Sequence, residues 1–189
     1  MHVLEMPAIK NTASAPRPFR CVFLTLPNYS LIALSSAVEA LRMANRVAGQ
    51  EAYQWSIASM GGHPVAASNG LALAPTVALA DVAQAHIVFV CGGIEIEAAC
   101  TADVMSALRR LSRRQVALGA LCTGGYVLAK AGLLDGYKAV VHWENMTALE
   151  ERFPKVVFSR QLFAIDRDRY TCTGGVAPLD LMLNIIQSH

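Results

Sequence analysis

Val116-Ala117-Leu118-Gly119-Ala120-Leu121 is an unbroken apolar run that stops on Cys122-Thr123-Gly124-Gly125. Six such residues bounded by turn formers are too short for a helix and read as a strand buried on both faces. The apolar positions that follow, through Lys130, then read as a helix. A sulfur at a sharp strand-to-helix turn needs small residues two positions to either side, because the strained backbone crowds its neighbours. Ala120 and Gly124 meet that requirement, so Cys122 is placed on a nucleophile elbow. A buried core thiol is the alternative.

The same grammar repeats outward in both directions. Cys21 to Leu26 is a strand stopped by Pro27-Asn28, and Ser30 is positioned to cap a helix over 31–48 that Gly49 ends. Tyr53 to Met60 is a strand, 65–80 a small hairpin, and His86 to Cys91 a strand cut off by Gly92-Gly93. A helix from about Ala98 to Arg114 precedes the elbow strand. After it come a strand over 137–141, a helix over 144–153, strands near 156–158, 162–166 and 170–173, and a last helix over 178–187. Continuous apolar strands alternating with helices predict an α/β, doubly wound, mostly parallel sheet covered by helices on both faces. Such sheets bind ligands beyond the carboxyl ends of their strands, which directs attention to the loops after Leu26, Cys91, Leu121 and Val141.

Composition narrows the function. With 54% hydrophobic and only 16% charged residues in 189, the chain can offset the entropy of folding, and disorder is excluded as its main state. Residues 1–18, with three prolines and no period, read as a flexible leader, and 19–189 as one domain. Five scattered cysteines without a CxxC form no disulfide framework and no zinc knuckle, which suits reduced thiols in the cytoplasm. No apolar run is long enough to span a membrane, and no histidine or cysteine pair has metal-ligand spacing, so neither a membrane nor a metal is expected. The doubled glycines lack the order of a phosphate loop, and no cofactor is expected. A net charge of +2 says little about nucleic acid. Arg109, Arg110, Arg113 and Arg114 lie along one side of a helix, as a solvated face or as a contact for DNA or a partner.

Several side chains gather near the elbow on this reading. The backbone N–H of Thr123, with one from the Gly92-Gly93 turn, would form an oxyanion hole. His142 closes the strand ending Val140-Val141 and is either a base for Cys122 or a histidine bonded to its surroundings. The first strand–helix connection, Pro27-Asn28-Tyr29-Ser30, carries no acid; Glu39 is the first carboxylate beyond it, facing either the pocket or solvent. Trp143 lines the pocket or packs beneath the helix that begins beside it.

Val88-Phe89-Val90-Cys91-Gly92-Gly93, the run Ala120 to Gly136, Val140-Val141-His142-Trp143-Glu144 and the ending Thr173 to Leu183 together resemble the ThiJ/PfpI, or class I glutamine amidotransferase-like, superfamily. Within it they are most similar to the amino-terminal sensor domain of AraC-type (GlxA-like) transcriptional regulators. The resemblance covers roughly residues 20–189 and implies a flavodoxin-like sandwich, homodimerisation and a ligand pocket at the elbow. It also implies a carboxy-terminal helix-turn-helix domain that contacts DNA, which this sequence does not include. Related enzymes place a carboxylate from the first connection near the sulfur, so its absence here favours a binding module.

Two functions follow. The first is a ligand-sensing, dimerising domain whose pocket is formed by Asn28, Tyr29, Gly93, Cys122, Thr123, His142, Trp143 and Glu144. Tyr29, Trp143 and Glu144 would suit a small cationic effector, and the resemblance to such regulators implies an amino acid or a quaternary amine. The second is a cysteine-dependent hydrolase, hydratase or glyoxalase-like enzyme using Cys122 and His142.

Overall fold

The computed structural model describes residues 17–142 and 146–189. Of the expected features, the leader up to residue 16 and the pocket residues Trp143 and Glu144 lie outside the described residues. Strands β1 (Phe19–Thr25), β2 (Tyr53–Ser59), β3 (Val77–Ala78), β4 (Ile87–Cys91), β5 (Ala117–Leu121), β8 (Phe163–Asp166) and β9 (Arg169–Cys172) form one sheet in the order β3-β2-β1-β4-β5-β9-β8. Every pairing is parallel except β8 with β9, a terminal hairpin. Short strands β6 (Lys138–Ala139) and β7 (Val157–Phe158) pair separately.

Alternation along the strands splits the core in two, as a period of two requires. Cys21, Phe23, Phe89 and Cys91 face helices α1 (Leu31–Ala48) and α6 (Ala177–Gln187). Val22, Leu24, Val88 and Val90 face the opposite layer, built from α2 (Ile96–Ala99), α3 (Ala102–Arg113), α4 (Gly124–Lys130) and α5 (Met146–Arg152). This is the flavodoxin-like sandwich the sequence predicts, and both layers are apolar because both sheet faces are covered. Gly119 is required for that packing: a Cβ there would stand 2.1 Å from the Phe89 ring.

Four local expectations are corrected. The helix expected over 98–114 is two helices broken at Cys100, because the Thr101 side chain accepts from Val104 N at 3.3 Å and starts α3 anew. The hairpin expected over 65–80 reduces to a single antiparallel bridge, Ala66 with Ala72, while Val77–Ala78 joins β2 in parallel as the sheet edge. The strand expected over 137–141 pairs only at 138–139 and with β7 rather than in the main sheet; Val140 N donates instead to Thr171 Oγ1 at 2.8 Å. Ser30 occupies the cap position of α1 but makes no side-chain cap bond; its backbone N–H donates to Gly92 O.

The arginines of α3 lie on its exposed side, and Arg109 donates to Ala131 O at 2.9 Å. Among the described residues no helix is long and apolar enough to cross a membrane.

Candidate functional site

The carboxyl ends of β1, β4 and β5 lie side by side in the centre of the sheet, and their loops converge there. Cys122 follows β5 with φ 58°, a left-handed conformation that a non-glycine residue adopts only when its surroundings impose it. Its N–H donates to Thr173 O at 3.3 Å, tying the turn to the end of β9. The smallness of its neighbours is enforced by backbone. A Cβ on Gly124 would lie 2.1 Å from Val90 O, and one on Gly92 would lie 2.5 Å from Gly124 N. The Thr123 hydroxyl donates to Gly93 O at 2.6 Å, joining the β4 and β5 loops.

His142 comes to the same place from beyond β6. Buried Val140 and Val141 anchor the approach. A Cβ on Gly174 would lie 3.0 Å from Cys122 Sγ and 3.3 Å from His142 Nε2. Thiol and imidazole thus flank one glycine, at the start of the turn leading into α6.

A cavity of about 880 Å³ opens over this point, lined by Ser30, Ser68, Gly93, Glu95, Glu97, Cys122, Thr123 and His142 among others. Of the residues expected at the site, Gly93, Cys122, Thr123 and His142 border it. Asn28, at φ 61°, does not line it, but its Nδ2 donates at 3.0 Å to Oε2 of Glu95, which does. Tyr29 is corrected: it is 0% exposed and packs in the α1/α6 core layer, so its ring does not face a ligand in this cavity. Its backbone instead bridges Ala67 and Gly93, locking the first connection against two loops. Burial pushes its phenol above the ordinary tyrosine value. Of the two alternatives for Glu39 the structure has the solvent-facing one: it sits on the exposed side of α1, bonded to Arg42 at 2.8 Å.

Glu95, Glu97, Ser30 and Ser68 were not expected at the cavity from sequence. Glu95 is the first carboxylate after the Gly92-Gly93 turn, in one of the four loops that the sheet topology marks, and that position was the available signal. Glu97 accepts from Arg152 at 2.8 Å. Glu95 also sits at a positive φ, 55°.

Two further thiols lie beneath the elbow. Cys91 ends β4, and Cys172 ends β9 with its Sγ donating to Ala120 O at 3.6 Å. Burial pushes both thiols above the ordinary cysteine value. Among the described residues no group of three or more His, Cys, Asp or Glu could hold a metal ion.

A flavodoxin-like sheet with a cysteine at the β5–α4 turn, facing a histidine across a glycine, defines a class of α/β domain built around an elbow cavity. The DJ-1/PfpI family model matches residues 20–188, and the chain belongs to that family. It is 47% identical over 164 residues to the HTH-type transcriptional regulator GbdR of Pseudomonas aeruginosa, covering 87% of this chain and 45% of that regulator. It is 42% identical over 164 residues to the HTH-type transcriptional regulator GlxA of Rhizobium meliloti, covering 86% of this chain and 51% of that one. An AraC family transcriptional regulator from Pseudomonas putida superposes with a TM-score of 0.82 at 28% identity, covering 90% of this chain and 92% of that structure. The chain spans about half the length of the curated relatives it matches.

Proposed function

We propose that this chain is the ligand-sensing and dimerising domain of an AraC-type transcriptional regulator, and that a small cationic metabolite is its effector at the Cys122 cavity. The observation that carries the reading is the cavity over the elbow, whose wall includes the carboxylates of Glu95 and Glu97, set on a domain whose relatives at 42% identity and above are transcriptional regulators. Contact with DNA then belongs to a separate helix-turn-helix segment, consistent with a chain that matches half the length of those relatives. An effector switches such a protein only if it binds one arrangement of the dimer more tightly than the other.

A thermal-shift screen over amino acids, betaines and polyamines tests this. A saturable rise in Tm with one of them, accompanied by protection of Cys122 from alkylation, supports the reading. A rise that leaves Cys122 equally reactive would move the binding site elsewhere.

A second reading rests on the convergence of Cys122 and His142 at Gly174, which suits a cysteine-dependent hydrolase or hydratase. Turnover of an amide, isonitrile or α-oxoaldehyde that disappears in Cys122→Ser would establish it in place of a pure sensor.

A further inference from the structure

We propose that Glu95 is the charge-selecting residue of the elbow cavity, pairing with the ammonium or guanidinium head of the effector, and that Asn28 is the positioning residue that holds it there. This rests on the sensor reading above and assigns the group that makes the cavity prefer a cation.

The first connection contains no acid, yet an acid stands beside it. Asn28 and Glu95 come from loops 67 residues apart, and the amide donates to the carboxylate at 3.0 Å. Both are at positive φ, 61° and 55°. Asparagine visits that region readily, whereas glutamate does so at a cost and persists there only when the surroundings hold it. Two held residues bonded across two loops, with Glu95 on the cavity wall, form a built feature.

The charge on this feature is left for something else. Glu97, the other carboxylate of the cavity wall, is engaged by Arg152 at 2.8 Å. Among the described residues no lysine, arginine or histidine pairs with Glu95, and none of the residues lining the cavity is a lysine or arginine. An ionised carboxylate offers about four acceptor positions, and Asn28 uses one. Ser30 and Ser68 add hydroxyls that tolerate either charge. A weakly hydrated cation, which gives up its water cheaply, is the partner such a wall suits.

The test is titration calorimetry on the 189-residue chain with two matched pairs. Glycine betaine is set against 3,3-dimethylbutanoate, which replaces the quaternary nitrogen by carbon, and L-arginine against L-citrulline. At least one of glycine betaine and L-arginine binds saturably and more tightly than its matched analogue, which lacks the quaternary nitrogen or the guanidinium. Glu95→Gln, which keeps an acceptor for Asn28, weakens that cation by roughly 10- to 100-fold and changes the analogue less than about twofold, with an unchanged melting temperature. Asn28→Gly, which keeps the backbone conformation, weakens the cation by a smaller factor. Parental affinity in Glu95→Gln, or equal losses for cation and analogue, overturns the assignment of Glu95 while leaving the sensor reading standing. Saturable binding of only the analogues that lack the quaternary nitrogen or the guanidinium also overturns it. Failure of the parent chain to bind any of the four overturns the cationic-effector reading and this inference with it.

Discussion

Cys122 and His142 meet over a residue that has no side chain. A Cβ at Gly174 would stand 3.0 Å from the Cys122 sulfur and 2.9 Å from His142 Cδ2, so the glycine reserves the space in which the two groups lie. The atoms it would press on are side-chain ends, which can turn away, rather than backbone.

Gly174→Ala is therefore expected to fold with stability within about 1 kcal/mol of the parent while displacing thiol and imidazole. Its signature is a changed alkylation rate at Cys122 with a nearly unchanged urea midpoint. A large loss of stability with an unchanged rate would show that Gly174 serves the backbone instead.

Native-state alkylation should rank the cysteines. Cys122 borders the cavity, whereas Cys91 and Cys172 are 1% and 0% exposed and burial raises their thiols. Burial likewise pushes Cys21 up to about 12. With iodoacetamide near neutral pH, mass spectrometry should find Cys122 modified well before these three, which react only after denaturation. Early modification of Cys91 would mean that the elbow layer opens in solution.

Thr123 holds the two central loops together through its bond to Gly93 O. Thr123→Val removes the donor and leaves a carbonyl on buried Gly93 unmatched, at a cost of about 1–3 kcal/mol. Urea unfolding should show a lower midpoint with the same m value. An unchanged midpoint would mean that water replaces the hydroxyl.

Asp168 supplies a pH dependence at the opposite end of the sheet. Partial burial opposes its ionisation, but the Tyr137 hydroxyl at 2.9 Å and the Arg169 guanidinium at 2.6 Å outweigh it and hold the carboxyl below its usual range. Because the folded value is the lower one, its stabilisation is complete above the ordinary carboxylate value and fades as the pH falls through the folded one. Parent and Asp168→Asn should thus differ at pH 6 and converge below about pH 3. With the side chain 45% exposed, solvent screening keeps the difference to about 1 kcal/mol or less. A gap that widens in acid would contradict this account.

Much of the architecture was legible because it follows from pattern. Apolar runs such as 87–91 and 117–121, each closed by glycine or a small polar turn, announce central parallel strands, and they are where they were expected. The errors fall where pattern competes with a local bond or with pairing. Thr101 restarts a helix by capping it, and Val140 bonds to the Thr171 hydroxyl instead of extending a ladder. Tyr29 misleads for a related reason. An aromatic residue in a ligand-facing loop looks like a contact, but only packing decides whether its ring turns to the cavity or to the core.

Sequence alone determined the layered α/β order and placed a cysteine at its central turn, because strand length, helix period and turn chemistry are local properties carried by neighbouring residues. Tertiary structure alone decided that Glu95 stands against Asn28 and that His142 faces Cys122 across Gly174. Those pairs are far apart along the chain, and their meeting depends on how whole strands register and how loops pack over them, which no short window of residues encodes.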